Sequence, residues 1–374
     1  MKRVVLKFGG TSVADAESRQ AVAAIIRDTK EICGELIVVV SAMGRKGAPY
    51  ATDTLLQVYG DGQDLPKNRE QDMIYACGEI ISGSVLAQEL NTQGLRSVFL
   101  TGGQAGIETD DHYSEANILT VHTDRLKKWL AQDYIIIVAG GQGMTASGDI
   151  TATGRGGSDT TACAIGYYTG ADEVRIYTDV YGIYTGDPRV IQNARKIPCL
   201  SYSQCHRLAA YGAKVIHPRA VAYAELGQKN VLSVRSTFLR GSGTKIGDYE
   251  SRWNGITASR NLLTLTTTAE EGAGLVQTLK QYGAEPCYTL SDELGFHCGI
   301  DGRLMGREDI PQGQLRDVIF AVGPAATPEN VSKTLCKDWE GEILRLSEDS
   351  VAVTVAPELY ERQINLLHDG ICLV

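Results

Sequence analysis

Two glycine-rich loops hold the residue types that could bind anions. Residues 7–13 read Lys-Phe-Gly-Gly-Thr-Ser-Val and follow an apolar run, and residues 154–161 read Gly-Arg-Gly-Gly-Ser-Asp-Thr-Thr. Glycine lets backbone N–H groups gather round an anion without interference from a Cβ, and each loop adds a cation, Lys7 or Arg155. One such loop alone would be an ordinary turn with a solvated cation. The pair predicts a site for two anionic substrates or for one polyphosphate.

Two lysines are candidates for the cations that phosphoryl transfer requires. Lys7 ends the apolar run before the first loop, and Lys214 lies in the stretch Tyr211–Arg219. Phosphoryl transfer depends mainly on positioning and on neutralising the charge of the transferring group, a task that suits lysine. The sequence contains neither the Walker pattern nor the protein-kinase signatures, so any phosphoryl transfer would belong to another fold.

A dinucleotide-binding fold is a competing interpretation. Residues 141–146 fit the relaxed glycine fingerprint after a strand, but that fingerprint needs a helix to begin at the motif. Residues 146–151, Ala-Ser-Gly-Asp-Ile-Thr, instead predict a hairpin turn. No well-placed acidic residue ends a second strand about 20 residues further on. The sequence therefore argues against a Rossmann site.

Composition and charge bound the function. The chain has 374 residues, of which 43% are hydrophobic, and its 41 glycines indicate many tight turns between strands and helices. This length predicts roughly two to three domains. The net charge of −9 argues against nucleic acid or an anionic membrane surface as the main partner. Anionic substrates must then be held by local cations.

Nine cysteines without a Cys-x-x-Cys spacing indicate reduced thiols and a cytoplasmic protein. Cys199, Cys205 and His206 match no common zinc pattern, so we predict no metal site built by the protein alone. The N-terminal strand is too short for a secretion signal, and no apolar run approaches membrane-spanning length. We therefore expect no membrane partner.

Apolar runs rich in β-branched residues alternate with amphipathic segments over the first 240 residues. This alternation predicts a mainly parallel sheet with helices on both faces. Strands are predicted at Arg3–Phe8, Glu35–Ser41, Ser97–Leu100, Tyr134–Ala139, Glu173–Tyr177 and Val231–Val234, and helices at Ala14–Cys33, Arg69–Leu90 and Ser114–Ala131. Glycine-rich or polar residues follow five of these strands, at residues 9–12, 41–44, 101–103, 140–143 and 178–179. Because open α/β sheets bind ligands at the carboxyl edge of their strands, we expect the site there.

The pattern changes near residues 240–254, where glycines interrupt it. Beyond this boundary, two rounds of strand, helix, strand and strand predict a pair of small α+β modules. The first has Leu262–Thr268, Glu271–Tyr282, Glu285–Leu290 and Gly295–Ile300, and the second has Asp317–Val322, Thr327–Trp339, Glu342–Leu346 and Ser350–Val355, followed by a helix at Pro357–His368. Thr327 before Pro328 is a favourable helix start.

The two glycine-rich loops belong to a longer series of motifs over about residues 1 to 240. The motifs are Lys7–Val13, Val39–Gly44, Gly78-Glu79, Gly154–Asp159, Tyr177–Asp179, Asp187–Arg189 and Lys214–Arg219. In this order and spacing they resemble the motif set of the aspartate kinases (aspartokinases). The stretch Ala42–Leu56 is especially similar to the bacillus and clostridium type. A single Gly-Gly-Thr would not be specific, but the motifs are highly specific jointly.

The resemblance implies the amino-acid kinase fold, an α/β fold whose mainly parallel sheet is sandwiched by helices and followed by α+β ACT-like modules. Residues 1–245 would form the catalytic domain, and residues 255–374 a regulatory and dimerisation region with modules at about 258–312 and 313–374. The implied reaction uses ATP with Mg²⁺ to phosphorylate the β-carboxylate of L-aspartate. Its product, 4-phospho-L-aspartate, begins lysine, threonine and methionine biosynthesis through the diaminopimelate pathway.

The resemblance also implies roles for individual residues. Lys7, Asp159 and Lys214 would be catalytic, with Asp159 organising the lysine and the metal-bound phosphates. The nucleotide would contact Lys7, Phe8, Gly9, Gly10, Ser41, Tyr177, Thr178, Asp179, Tyr184, Arg189 and Lys214. Aspartate would contact Thr52, Glu79, Arg155, Gly156, Gly157 and Ser158. Among these, the planar fork of Arg155 suits a carboxylate and Glu79 suits the α-ammonium.

A carboxylate acceptor needs no general base, because a reference pKa of about 3.9 leaves it ionised at neutral pH. None of the six histidines stands in these loops, and we expect the nearest, His217, to pack at a helix start. Two alternatives stay open: another amino-acid or carbamate kinase of the same fold, and a catalytically weak regulatory binder. The weak binder is disfavoured by the full set of Lys7, Glu79, Arg155, Asp159 and Lys214.

The chain departs from the family pattern in both regions. Gly141 stands where an aromatic residue is usual, and Tyr181 where an acidic residue is common. In the tail, residues 269–272 and 323–328 match the customary glycine- and proline-rich turn only in part. We expect the tail to join subunits in a homodimer or larger homo-oligomer and to respond weakly or not at all to lysine, threonine or diaminopimelate. A chain cut after about residue 250 is expected to lose dimerisation and solubility before chemistry.

Overall fold

The computed structural model describes residues 2–60, 68–213, 215–227, 231–250, 252–281 and 285–373. Lys214, which the family resemblance predicts to be catalytic, lies outside the described residues. Among the described residues, no helix is long and apolar enough to cross a membrane.

The elements follow one another in a mixed α/β order. The strands are β1 (Arg3–Phe8), β2 (Glu35–Val40), β3 (Ser97–Leu100), β4 (Ile107–Thr109), β5 (Ile118–Val121), β6 (Ile135–Ala139), β7 (Gln142–Met144), β8 (Ile150–Ala152), β9 (Glu173–Thr178), β10 (Cys199–Ser201), β11 (Val231–Ser236), β12 (Thr244–Gly247), β13 (Gly255–Thr267), β14 (Tyr288–Asp292), β15 (Gly295–Asp301), β16 (Gln314–Val322), β17 (Ile343–Ser347) and β18 (Ser350–Val355). The helices are α1 (Ala16–Ile32), α2 (Thr52–Tyr59), α3 (Arg69–Thr92), α4 (Asp124–Leu130), α5 (Gly157–Thr169), α6 (Tyr202–Ala210), α7 (Pro218–Leu226), α8 (Ala269–Gln281), α9 (Pro328–Ser332) and α10 (Tyr360–Cys372), with 3₁₀ turns at Gly10–Val13, Gly302–Leu304 and Pro357–Leu359.

The chain folds into two compact units. The first is built from Met1–Ile183 and Val215–Tyr249, and the second from Tyr184–Lys214 and Glu250–Val374. The chain therefore leaves the first unit, contributes a segment to the second, and returns. The assignment of a catalytic and a regulatory domain to the two regions stays a prediction.

Seven strands of the first unit form its large sheet, in the order β12-β11-β9-β1-β2-β6-β3. Neighbours pair in parallel except β11 with β12. Strands β2 and β6 are runs of Val, Ile, Leu and Ala that are buried from residue 36 to 40 and from 135 to 139. Such continuous apolar runs are typical of parallel strands covered on both faces. The predicted mainly parallel sheet is confirmed.

Helices cover the large sheet. Val22 and Ile26 of α1 and Leu86 of α3 share a core with Leu6 and Phe8 of β1. Helix α5 packs against β1 and β9, and ten of its thirteen residues are buried. Side-chain caps start the first two of these helices. Asp15 accepts a hydrogen bond from Ser18 N, and Asn68 accepts one from Gln71 N.

A smaller sheet of the first unit has the order β5-β4-β7-β8. Strands β7 and β8 pair antiparallel around residues 145–149, which confirms the hairpin turn predicted there. The helix predicted at Ser114–Ala131 is wrong, because Ile118–Val121 is strand β5 and only Asp124–Leu130 is helical. The residues of β5 pair with β4, so sheet pairing and β-branched side chains overrode the apparent helical spacing.

The second unit contains an antiparallel sheet in the order β14-β15-β13-β16-β18-β17. Strand β13 pairs with β15 on one side and with β16 on the other, so the two predicted modules share one continuous sheet. It begins at Gly255, earlier than predicted, and an irregularity between Ser259 and Leu262 interrupts its pairing with β16. Asn261 in this bulge has a positive φ of 56°.

The helix predicted at Thr327–Trp339 is confirmed only over Pro328–Ser332. Thr327 caps it as expected, since its Oγ1 accepts from Asn330 N at 3.2 Å. The following residues find other partners. Cys336 N donates to Gln363 Oε1 at 2.9 Å, and Trp339 Nε1 donates to Thr354 O at 3.0 Å. These bonds to α10 and β18 end the helix early.

The segment 184–214 packs with the tail through backbone and side-chain bonds. Ile256 N donates to Thr185 O at 2.7 Å, and Thr185 Oγ1 lies 2.8 Å from Nε2 of the fully buried His368. Asn365 Nδ2 donates to Val190 O at 3.1 Å. This segment therefore depends on α10 and β13 for its position.

Candidate active site

The carboxyl ends of β1, β2, β6 and β9 meet at one edge of the parallel sheet, so the loops that follow them are neighbours. Gly9 N donates to Tyr177 O at 3.2 Å, and Gly44 N donates to Gly10 O at 2.9 Å. Gly10 has no room for a side chain, since a Cβ there would lie 2.6 Å from Gly44 O. Glycine thus lets three of these loops pack backbone to backbone.

Lys7 and Asp159 form a buried ion pair at this edge. Lys7 Nζ lies 2.6 Å from Asp159 Oδ1, outside hydrogen-bond angles, and both residues are only 8% exposed. Lys7 comes from β1, whereas Asp159 lies in the first turn of α5, where the helix dipole favours a carboxylate. Lys7 Nζ is also 3.7 Å from the position of a Cβ on Gly9, so the ammonium lies at the glycine loop.

The second glycine loop begins α5. Gly156 precedes the helix with φ +65°, and a Cβ there would lie 2.2 Å from the Cβ of His217, so only glycine fits. Ser158 Oγ lies 2.8 Å from Ser41 Oγ, which joins this loop to the end of β2. The first N–H groups of α5 are thereby held next to the loops of β1 and β2.

A cavity of about 380 Å³ opens between these loops and helices α2 and α3. It brings together seven residues of the predicted site: Ser41, Thr52, Glu79, Arg155, Gly156, Gly157 and Ser158. Its other lining residues were not predicted from the sequence: Asp53, Leu56, Gln71, Asp72, Tyr75, Ser114 and Gly154. All six residues expected to contact aspartate therefore line one cavity.

Glu79 is the buried carboxyl group of this cavity. Its Oε1 accepts from Ala42 N at 3.3 Å, whereas its Oε2 has no hydrogen-bond partner among the described residues. Burial raises the pKa of Glu79 to about 8. A buried carboxylate oxygen without a partner is costly, so the site suits a ligand that supplies a cation.

Asp72 anchors the same helix to the cavity wall. Its Oδ2 accepts from Ser114 N at 2.9 Å and from Ala152 N at 2.6 Å, and its Oδ1 accepts from Ser114 Oγ at 3.1 Å. Asp72 is 1% exposed, and Ser114 has a positive φ of 70°, which is unusual outside glycine. The anchor therefore fixes a strained loop beside the site.

The sequence contains a pattern that indicates the cavity-lining residues Asp72 and Tyr75 of α3, although they were not among the predicted site residues. Asp72, Tyr75 and Glu79 have the i, i+3 and i+7 spacing that places side chains on one helix face. Polar groups on an otherwise buried face indicate a site rather than a core. That pattern would have added Asp72 and Tyr75 to the predicted residues.

The residues predicted to contact the nucleotide differ in whether their side chains or only their backbone atoms reach the sheet edge. The rings of Phe8 and Tyr177 stack at 5.0 Å inside the core, so these residues present only backbone atoms to the edge. Thr178 Oγ1 donates to Asp179 Oδ1 at 3.1 Å, and Asp179 Oδ2 lies 2.5 Å from Nη2 of Arg45. These two polar residues end β9 beside the first glycine loop.

The last three residues predicted to contact the nucleotide stay predictions. Tyr184 and Arg189 belong to the second unit, where Tyr184 forms a β-bridge with Lys196 and the exposed Arg189 pairs with Asp187 at 2.7 Å. Lys214 lies outside the described residues.

His217 packs at the start of α7, as expected from the sequence. Its Nδ1 accepts from Arg219 N at 3.3 Å, and the ring lies against Gly156. Burial lowers the pKa of His217, and the charge of Arg219 lowers it further. Arg219 also donates to Thr153 O and, at 3.3 Å, to Arg155 O. The neutral imidazole thus helps to hold the second glycine loop.

The sequence of the chain is similar to known proteins over this region. Residues 2–232 match the amino acid kinase family. Aspartokinase 1 of Bacillus subtilis (strain 168) is 44% identical over 265 residues, which cover 71% of this chain and 65% of that protein. An aspartokinase of Thermus thermophilus is 43% identical over 246 residues, or 66% of this chain and 59% of that protein. The chain spans less than two thirds of the length of these curated relatives.

Solved structures share the fold. The complex of E. coli aspartokinase III with aspartate and ADP (R-state) has a TM-score of 0.81 at 21% identity and covers 99% of this chain and 100% of that chain. The aspartate kinase from Synechocystis has a TM-score of 0.58 at 27% identity, with 99% of this chain and 69% of that chain covered. The first likeness covers 99% of this chain and so includes the antiparallel sheet of the second unit, whereas the match to the amino acid kinase family ends at residue 232.

Proposed function

Because the chain belongs to the amino acid kinase family, we propose that it transfers a phosphoryl group from ATP to the β-carboxylate of L-aspartate. One observation carries this proposal. Glu79, whose buried Oε2 has no partner among the described residues, lines a cavity that also holds Arg155 and the N-terminus of α5. A ligand ammonium would stabilise the ionised form of Glu79, and Arg155 and the helix N-terminus suit a ligand carboxylate. A free amino acid carries both groups.

A free ammonium group distinguishes aspartate from acetylglutamate and carbamate, which other kinases of this fold would phosphorylate. Acetylglutamate and carbamate lack an ammonium that could neutralise Glu79, so the same cavity would leave its carboxylate unpaired. The buried Lys7–Asp159 pair beside the cavity supports an enzyme rather than a regulatory binder, since binding alone requires no such pair. Acceptors without an ammonium and a regulatory binder are therefore less well supported, whereas glutamate, which carries an ammonium, is separated from aspartate by the acceptor panel below.

In the proposed reaction, an ionised β-carboxylate oxygen of aspartate attacks the γ-phosphorus of ATP. The new O–P bond forms while the bond to ADP breaks, and ADP keeps that electron pair. Lys7 would neutralise charge on the transferring phosphoryl group. Asp159 would hold the side-chain ammonium of Lys7 at the first glycine loop. Lys214 is proposed as a second cation. No general base is needed, because the acceptor is already ionised.

A magnesium ion that arrives with ATP fits the carboxylates at this edge. Among the described residues, no cluster of three or more His, Cys, Asp or Glu could hold a metal by itself. Magnesium usually binds one or two carboxylates together with substrate phosphates, and Asp159 and Asp179 could supply these. When bound, it would neutralise phosphate charge. The nucleotide would lie along Gly9, Gly10, Ser41 and Thr178, with Tyr184 and Arg189 as further proposed contacts.

The relatives support the choice of substrate. Two similar proteins are named aspartokinases, and E. coli aspartokinase III was solved with aspartate and ADP. The product would be 4-phospho-L-aspartate, the first intermediate towards lysine, threonine and methionine. We place this reaction in the cytoplasm.

We further propose that residues 255–374 act as ACT-like modules that join subunits in a homodimer or larger homo-oligomer. Strands β14 and β17 end the strand order of the antiparallel sheet and also contact each other, so the proposal rests on the family resemblance and on exposed apolar side chains such as Leu294, which is 82% exposed and which a second subunit would cover. We expect a weak response, or none, to lysine, threonine and diaminopimelate. Sedimentation of the full chain and titration of each amino acid against activity test these two proposals. Inhibition in the micromolar range would contradict the second.

The decisive experiment is an acceptor panel. The full chain is incubated with ATP, Mg²⁺ and aspartate, glutamate, acetylglutamate or carbamate, and ATP turnover is followed together with trapping of acyl phosphate by hydroxylamine. We expect aspartate hydroxamate to form fastest. Hydroxamate from another acceptor and none from aspartate would reject the proposed function.

A further inference from the structure

We propose that Tyr75 determines acceptor specificity: its ring closes the cavity beside Glu79 and limits the bound amino acid to the length of aspartate. The inference rests on the proposed function, and it concerns a residue that neither the motifs nor the family resemblance singled out. Three observations carry it, namely the register of α3, the space over Gly141, and the chemistry of a partly buried phenol.

The register of α3 places Tyr75 next to the residue proposed to bind the ammonium. Tyr75 and Glu79 lie four residues apart, so their side chains are neighbours on one helix face. Both line the cavity, as do Arg155 and Ser158 of the second glycine loop. An amino acid whose ammonium meets Glu79 therefore lies against the ring of Tyr75. The position of that ring then decides how long the rest of the ligand can be.

The ring of Tyr75 reaches the space over Gly141. A Cβ on Gly141 would lie 3.1 Å from Tyr75 Oη and 3.5 Å from Tyr75 Cε1. The backbone of Gly141 is fixed, because Gly141 N donates to Thr161 Oγ1 at 3.0 Å and Gly141 O accepts from Thr153 N at 2.9 Å. A side chain at position 141 would compete with the ring for the same volume. Tyr75 thus supplies from α3 the aromatic group that position 141 lacks.

The phenol is a rigid and uncharged wall. Burial raises the pKa of the Tyr75 hydroxyl far above its usual range, and the carboxylates of Glu79 and Asp72 raise it further. The group therefore stays protonated and acts as a hydrogen-bond donor that a ligand carboxylate can use. With only two side-chain torsions, the ring loses little conformational entropy when it confines a ligand.

The test compares Tyr75→Leu and Tyr75→Phe with a matched control, Tyr167→Leu. Tyr167 lies on α5 and is 38% exposed. Equilibrium dissociation constants for L-aspartate and L-glutamate are measured by titration calorimetry, and kcat/KM for both is measured by hydroxamate formation. We expect Tyr75→Leu to reduce the preference for aspartate over glutamate about 10-fold or more, because one methylene group in a packed pocket is worth roughly that factor. Tyr75→Phe and Tyr167→Leu should keep the preference.

The outcomes separate the two proposals. A folded Tyr75→Leu protein with an unchanged aspartate-to-glutamate preference overturns the role of Tyr75. Equal loss of preference in Tyr75→Phe also overturns it, since the hydroxyl and not the ring would then select the ligand. Should the leucine variant fail to fold, Tyr75→Met is measured in the same way. Wild-type protein that binds aspartate without phosphorylating it rejects the proposed function, while the binding ratios still test Tyr75. Wild-type protein that binds neither amino acid overturns both.

Discussion

Glu79 shows how binding and stability oppose each other at a single residue. Its buried carboxylate lacks a second partner among the described residues, and burial raises its pKa to about 8. The ionised form suits the ammonium of an amino acid, but that form is the one that burial disfavours. A ligand ammonium relieves this conflict, so the pH dependence of binding should report on Glu79.

Binding of aspartate is expected to weaken as pH falls below about 8, because protonation of Glu79 removes the charge that holds the ammonium. The effect approaches tenfold per pH unit well below that pKa. The dissociation constant for aspartate, measured between about pH 6 and 9, checks this. Glu79→Gln should bind more weakly at high pH and lose the dependence. A flat wild-type profile would place the ammonium elsewhere.

The raised pKa of Glu79 also predicts that the stability of the unliganded protein falls as pH rises, whereas aspartate binding strengthens. In the unfolded chain Glu79 ionises near 4.5, the ordinary pKa of a glutamate side chain, whereas in the folded protein it keeps its proton until about pH 8. The folded state therefore binds more protons between these values, and its contribution to the free energy of unfolding falls as pH rises. Without ligand, Glu79→Gln should melt at a higher temperature than wild type near pH 9 and at a similar temperature near pH 5. Thermal unfolding at both pH values decides the matter.

Lys7→Ala should lower kcat about 100-fold or more while the KM for aspartate changes little, because the lysine charge matters most as the phosphoryl group transfers. Steady-state kinetics measure both parameters. Lys128→Ala, which removes an exposed lysine on α4, is the control. Thermal unfolding must accompany the assay, since Lys7→Ala leaves Asp159 without its ion-pair partner. Turnover near the wild-type rate would make Lys7 an ordinary lysine at a strand end.

Much of the site can be predicted from residue types and motif order. The motifs point to Thr52, Glu79, Arg155 and the glycines of both loops, and the structure gathers the proposed aspartate contacts in one cavity. The spacing of Asp72, Tyr75 and Glu79 marks Tyr75 as a site candidate, but only the three-dimensional packing shows that its ring takes up the space over Gly141. A sequence shows that position 141 lacks a side chain but not which neighbour fills the volume.

At the scale of elements, α3 joins the cavity to the small sheet. Asp72 accepts hydrogen bonds from the loop at Ser114 and from β8 at Ala152, and Glu79 follows two turns later on the same helix. The distance between the anchor and the ammonium site is therefore fixed by one helix. Movement of the anchor would carry Tyr75 and Glu79 with it.

Asp72→Asn is expected to destabilise the protein by about 1.5–3 kcal/mol, because buried hydrogen bonds to a charged group are lost or weakened. It should also raise the KM for aspartate by loosening the helix that carries Glu79. Urea unfolding and steady-state kinetics test the two effects. Glu70→Gln is the matched control, since Glu70 is exposed and pairs only at the surface with Arg69, so we expect little change. Equal behaviour of the two variants would show that Asp72 is not an anchor.

The elements themselves were predictable where the pattern was unambiguous. The buried runs of β2 and β6 have few alternatives to a parallel strand, and their predicted bounds are within one residue. The helix prediction for residues 114–131 was wrong because Ile118, Val121 and Leu126 have spacings that suit a helix. Pairing with β4 instead makes residues 118–121 a strand. The predicted end of α9 was wrong for a similar reason, because Cys336 and Trp339 donate hydrogen bonds to α10 and β18. Long-range partners are invisible in a local pattern.

At the scale of the whole molecule, the segment 184–214 changes what a truncation should do. From the sequence, a chain cut after about residue 250 is expected to lose pairing before chemistry. However, Thr185, Val190 and Ile191 take their partners from β13, α10 and the core of the second unit. Removing the tail would strip these partners from residues that stay in the chain.

We therefore expect the fragment 1–250 to expose apolar surface, to aggregate and to lose activity together with its stability. The control is a fragment that ends at about residue 250 and also replaces residues 184–214 by a short flexible linker, which leaves the contiguous first unit. Circular dichroism and light scattering compare the two. A soluble, folded and active 1–250 fragment would show that the segment folds without the tail.

The excursion of residues 184–214 also imposes an order on synthesis. The ribosome completes β9 well before it makes β11, yet β11 is the strand that pairs with β9 along Glu173–Thr178. Until β11 emerges, the nascent chain carries five of the seven strands of the large sheet, and the edge of β9 that pairs with β11 has backbone donors and acceptors without partners. Such an edge is the typical starting point of misassembly between neighbouring chains on a polysome. We therefore expect the nascent chain to be prone to misassembly while residues 184–230 are translated.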